Sequence, residues 1–158
     1  MSKLIATLTA TAAAFAVSAT LAAAPVRADE SADAAYKDIE ATLGLVPSFF
    51  KAFPEAGIAG AWAEFKSVQL NPHTALDGKT KELIGLAVAS QIPCEYCIYF
   101  HTAAAKANGA SDEEIKEAVA MSGIVRHWST VLNGMQTDLP AFKKEVDTVM
   151  ARAQAKVQ

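Results

Sequence analysis

The chain predicts an all-α protein, a compact bundle of about six helices, and three observations carry that expectation. Apolar residues beyond residue 28 recur at three- and four-residue spacings, helix-capping residues stand at the ends of those segments, and no stretch alternates apolar and polar side chains convincingly enough for a strand. A length of 158 residues suits one domain.

The first 28 residues are read apart from that domain. Lys3 is followed by an uncharged run from Leu4 to Ala24 dominated by Ala, Thr, Leu and Val, and Val26 and Ala28 place small side chains before a cut after Ala28. This is the layout of a secretory signal peptide, so the expected division is 1–28 signal and 29–158 helical domain. The run is nearly long enough for a membrane anchor but weakly apolar. No arginine pair precedes it, which favours general secretion, in a bacterium to the periplasm. Losing Lys3 and Arg27 from fourteen basic residues leaves twelve against seventeen acidic, a charge of −5. The remaining basic residues are scattered among acids, so no nucleic-acid partner is expected. Two cysteines are too few for a stapled scaffold, which leaves apolar burial to hold the core.

Six helices are expected in the domain. Ser31 caps the first, which carries Ala34, Ala35, Tyr36, Ile39 and Leu43 and stops at Gly44. Pro54 suits the first turn of the second, whose buried stripe is Ile58, Trp62, Phe65 and Val68, with Asn71-Pro72-His73 ending it. Asp77 caps a third helix so apolar through Leu83, Ile84, Leu86, Ala87 and Val88 that most of its circumference should be covered by protein. Gln91-Ile92-Pro93 breaks the pattern, and Pro93 fits the first turn of a fourth helix from Cys94 to Asn108, with Gly109 at its end. Ser111 and Glu114 form a capping box for the fifth, with Ile115, Val119, Ile124, Val125, Trp128 and Leu132 on its apolar face and Asn133-Gly134 closing it. The sixth runs from about Pro140 to Ala155, with Phe142, Val146, Val149 and Met150 at helical spacing.

The chemistry is concentrated in Glu82, Cys94, Cys97 and His101. Two thiols three apart and an imidazole four residues on share one face of a helix. A CxxC pair at a helix start meets unpaired N–H groups and the positive end of the dipole, which favour thiolate. His101, one turn beyond Cys97, is positioned to take a thiol proton, and Glu82 can orient His101 if the turn at Gln91 to Pro93 folds the two helices together. The same residues also fit an inert disulfide, or a zinc set of two thiolates and an imidazole. Tyr96 lies between the cysteines within reach of a hydrogen bond, and His127 beside Trp128 is a candidate pocket wall.

This four-point pattern, with Val46-Pro47-Ser48-Phe49-Phe50 ahead of it, resembles the alkylhydroperoxidase D-like (AhpD-like) group of the carboxymuconolactone decarboxylase superfamily over roughly Leu45 to Asn133. The resemblance implies an all-helical fold that forms trimers or hexamers and a thiol peroxidase cycle needing no cofactor or metal. In that cycle Cys97 attacks a hydroperoxide, Cys94 resolves the sulfenic acid as a disulfide, Glu82 and His101 relay protons, and a dithiol or protein reductant restores the pair. Superfamily members that decarboxylate a lactone do not use a CxxC pair. Tyr96 stands where the best-known family peroxidases carry a histidine, and an export signal separates this chain from the cytosolic lipoyl-type reductant. The alternatives are an exported thiol–disulfide oxidoreductase or redox sensor, and a non-catalytic helical oligomer that binds a small apolar ligand.

Overall fold

A computed structural model describes residues 31–156; the expected signal peptide, 1–28, lies outside them. Six α-helices and one short 3-10 turn are formed, and no strand occurs among the described residues. The chain divides after Ala59 into two units.

In the first unit, helix α1 (Ala32–Leu43) begins where the Ser31 hydroxyl accepts the Ala34 N–H and ends at Gly44, whose φ of 81° is left-handed. A glycine supplies that conformation at no steric cost, and its N–H closes the helix on the Glu40 carbonyl. Ala35 and Ile39, four apart, are its buried pair. Val46 and Pro47 lead into a 3-10 segment, Ser48–Ala52, in which the rings of Phe49 and Phe50 touch. Helix α2 (Glu55–Val68) starts directly after Pro54, so the proline precedes the first turn.

The second unit holds the rest of α2 and four further helices: α3 (Gly78–Gln91), α4 (Glu95–Ala107), α5 (Asp112–Gly134) and α6 (Leu139–Ala155). Asp77 caps α3 through Thr80, and Asp138 caps α6 through Ala141. The Ser111–Glu114 capping box is complete: the Ser111 hydroxyl accepts the Glu114 N–H at 3.1 Å and the Glu114 carboxylate accepts the Ser111 N–H at 2.8 Å. α3 is the central helix of this unit, packed on α4 and on α5.

Three expectations are corrected. α3 is not covered around most of its circumference, because α4 and α5 take one side of it and leave Ile84 and Val88 about half exposed. On α5 the expected apolar face is likewise open at Val119, Ile124, Val125 and Trp128, since α4 meets this helix only weakly and α6 leaves it in the same state. The fourth helix begins one residue later than expected, at Glu95, which turns Cys94 from a helical residue into the cap itself.

Candidate functional site

Helices α3 and α4 form an antiparallel hairpin whose register is recorded by two glycines. A methyl group at Gly78 would run into the Asn108 amide, and one at Gly85 would run into the His101 ring, with Nε2 only 2.8 Å away. The seven-residue step from Gly78 to Gly85 is matched by the step back from Asn108 to His101, as antiparallel packing requires. Four residues further along, Ala89 comes level with Cys97, and the Ala89 carbonyl accepts the Cys94 N–H at 3.2 Å. Gly78, Glu82, Gly85 and Ala89 are therefore the inner stripe of α3, narrow enough for α4 to approach closely.

The turn between these helices is tied to α5. Arg126 Nε donates to the Gln91 side-chain oxygen at 2.7 Å and its Nη2 to the Gln91 carbonyl at 3.3 Å. Gln91 in turn donates to the buried Ser122 hydroxyl at 3.2 Å. A guanidinium at the C-terminal end of α3 meets unpaired carbonyl charge there, so the contact is favourable and fixes where the chain re-enters as α4.

That re-entry presents the thiols. Cys94 is the N-cap of α4 and its sulfur accepts the backbone N–H of Cys97 at 3.2 Å. The two cysteines are joined as a disulfide with their Cα atoms 5.3 Å apart. Both residues are partly exposed. An N–H donated to the N-cap sulfur, as Cys97 donates here to Cys94, favours a thiolate at that position once the pair is reduced.

One turn beyond Cys97, His101 Nδ1 lies 2.7 Å from Glu82 Oε2. Glu82 is 4% exposed, and a buried carboxylate must be satisfied. Beyond His101, Gln69 Nε2 donates to Glu82 Oε1 at 3.1 Å and reaches Oε2 at 3.4 Å. Since a carboxylate only accepts, Nδ1 is assigned as the donor, and in the neutral tautomer this assignment leaves the lone pair on Nε2. Phe100 lies edge-on to His101 with centroids 5.2 Å apart and touches Phe65 of α2 on its other side.

The structure thus brings together Glu82 with His101, and Cys94 with Cys97, and sets His101 on the helical face of Cys97. It does not gather the candidate wall residues in the same way. Tyr96 is 88% exposed, and His127 and Trp128 pair edge-to-face on an open part of α5. Among the described residues, no group of three or more His, Cys, Asp and Glu side chains is arranged to hold a metal ion. Two residues escaped the sequence reading. Gln69 follows α2 and carries no local signal that separates it from any polar residue at a helix end. Gly85 did carry one, because a glycine inside an apolar helix costs roughly 1 kcal/mol against alanine and so marks a close approach.

The comparisons with known proteins agree with this fold. The model of the carboxymuconolactone decarboxylase family matches residues 56–136, just over half of the 158. A curated protein of Paracoccus denitrificans, described as uncharacterized protein 4 in the cox locus, is 42% identical over 52 residues, 33% of this chain and 47% of that one. The chain therefore matches less than half of that relative's length. The crystal structure of an alkylhydroperoxidase AhpD core from Rhodospirillum rubrum superposes with a TM-score of 0.62 at 32% identity, covering 73% of this chain and 87% of that one. The all-helical hairpin with its cysteine cap, the matched family region and this solved relative converge, and the chain belongs to the carboxymuconolactone decarboxylase family as an AhpD-like member.

Proposed function

We propose that the protein is a thiol peroxidase that reduces hydrogen peroxide or small alkyl hydroperoxides through Cys97 and Cys94. The observation that carries this reading is the 2.7 Å contact between His101 and buried Glu82, one helical turn from a cysteine pair at a helix start. With Glu82 holding Nδ1–H, the free Nε2 accepts the thiol proton of Cys97. The Cys97 thiolate attacks the terminal peroxide oxygen, an S–O bond forms as the O–O bond breaks, and the departing alkoxide or hydroxide takes the proton from His101 as alcohol or water. Cys97 is then a sulfenic acid. Cys94 attacks its sulfur, an S–S bond forms and water leaves, giving the disulfide seen here. An external dithiol, oxidised to its own disulfide, returns both cysteines to thiols. The name of the Rhodospirillum rubrum relative, an alkylhydroperoxidase, supports the choice of substrate class.

The test is peroxide consumption by the pre-reduced protein with an added dithiol. Cys97→Ser should abolish turnover, and Cys94→Ser should permit one reaction followed by over-oxidation of Cys97; an unimpaired Cys97→Ser protein would refute the assignment.

One observation favours a second reading, a thiol–disulfide oxidoreductase. The Cys97 N–H donated to Cys94 sulfur stabilises a thiolate and hence the reduced pair, which makes the disulfide more oxidising. A faster reaction with a peptide dithiol than with peroxide would favour it. The signal-like residues 1–28 support export, to the periplasm in a bacterium. The open apolar residues Ile84 and Val88 on α3 and Ile124, Val125 and Trp128 on α5 support assembly into a homo-oligomer.

A further inference from the structure

We infer that Gln69 is a positioning residue for the acid–imidazole pair, holding the Glu82 carboxylate in the rotation that keeps Nδ1–H on His101. The inference rests on the peroxidase reading only for its rate readout; the geometry stands on its own. Glu82 emerges from the inner face of α3 among Gly78, Gly85 and Ala89, and these small residues have no polar side-chain atom to fix a carboxylate. Its partners are His101 and Gln69. A carboxylate held by one imidazole alone turns about its last bond at little cost, whereas a second donor on the other oxygen defines its plane.

Gln69 is itself held from both sides. Its backbone N–H closes onto the Phe65 carbonyl at 2.9 Å, and the Phe65 ring touches Trp62 and the Phe100 ring of α4. The chain just beyond it is pinned to α3, where Lys81 Nζ, next to Glu82, donates to the Asn71 carbonyl at 2.7 Å. The amide therefore reaches Glu82 from a segment clamped to α3 and α4 together. It also borders an open cleft of about 340 Å³ with Ala61, Glu64, Phe65 and Val68, so the residue can be changed without emptying a core position.

Two variants separate positioning from packing. Gln69→Leu removes the donor, and Gln69→Glu keeps the shape but sets a carboxylate against a carboxylate. Nitrogen-detected NMR of the ring identifies the neutral tautomer of His101, and stopped flow gives the first-step rate with peroxide, both on reduced protein. The expected result is an Nδ1–H ring in the wild type. Both variants at neutral pH should drift toward the Nε2–H form that free histidine prefers, with about a tenfold or greater loss of first-step rate. A wild-type tautomer and rate in Gln69→Glu would overturn the inference, because a packing role tolerates that isosteric change. If the wild type consumes no peroxide but the tautomer still shifts, the peroxidase reading fails and the positioning role stands. If the wild type is an active peroxidase and neither variant moves either readout, only the positioning role fails.

Discussion

Gly85→Ala tests whether the close approach of α3 to the histidine matters to chemistry. The added methyl would sit 2.8 Å from His101 Nε2 and nearer still to the adjoining ring atoms, where ordinary contact begins at 3.4 Å, so the ring must retreat by at least 0.6 Å. Retreat is opposed by the 2.7 Å bond to Glu82, and the Phe100 ring lies beside the imidazole. Removing a glycine from a helix interior gains about 1 kcal/mol, while overpacking a close contact costs about 1–3 kcal/mol, so stability should stay level or fall by up to about 2 kcal/mol. The rate should suffer more, since a misplacement approaching 1 Å costs up to about a hundredfold; a 10- to 100-fold slower first step is expected. The assay pairs thermal unfolding with stopped-flow mixing of pre-reduced protein and peroxide. Gly60→Ala in α2, where an added Cβ meets nothing within 4 Å, is the control and should gain up to about 1 kcal/mol with no change in rate. A Gly85→Ala protein that is as fast as wild type and as stabilised as the control would refute the reasoning.

Three further outcomes are expected. Glu82→Gln keeps the shape but loses the charge that fixes the His101 proton, and should slow the first step about tenfold or more in single-turnover kinetics with little change in helical content. The Lys79–Glu114 pair, 2.7 Å apart, joins the starts of α3 and α5 and holds the Glu114 carboxyl below its ordinary value, chiefly through the Lys79 hydrogen bond and then through the Ser111 backbone N–H. A depressed carboxyl stabilises above its unfolded pKa and loses that contribution as pH falls through the folded value, so wild type and Glu114→Gln should differ in melting temperature at neutral pH and converge in acid. Ile84→Lys with Val88→Lys should lower the mass measured by light scattering if the open stripe of α3 is an oligomer contact; an unchanged mass would exclude that face.

The helix caps and the two pairings of the candidate site, Glu82 with His101 and Cys94 with Cys97, were largely legible in the sequence, whereas the coverage of the helices was not. Ser31, Asp77 and Ser111 cap their helices as their side chains dictate, because capping depends on neighbours within three residues. Glu82, Cys94, Cys97 and His101 were identified by spacing, although only the hairpin register shows that Glu82 and His101 meet. Ile84, Val88, Ile124 and Val125 misled the burial reading, since apolar character says that a face seeks cover and not whether the same chain supplies it. Cys94 was read one step too far into the helix, since Pro93 fits the first helical turn as well as a pre-cap position. Gln69 was missed because a long-range hydrogen bond, unlike a cap, leaves no local pattern.

The central claim, that Cys97 is the sulfur activated by His101 and Glu82, is tested most directly by mixing pre-reduced protein with hydrogen peroxide and following both cysteines by quenched mass spectrometry. Oxidation should appear first as a sulfenic acid on Cys97, with the Cys94 thiol lost only as the disulfide forms. Sulfenic acid appearing first on Cys94, or two thiols that survive peroxide unchanged, would contradict it.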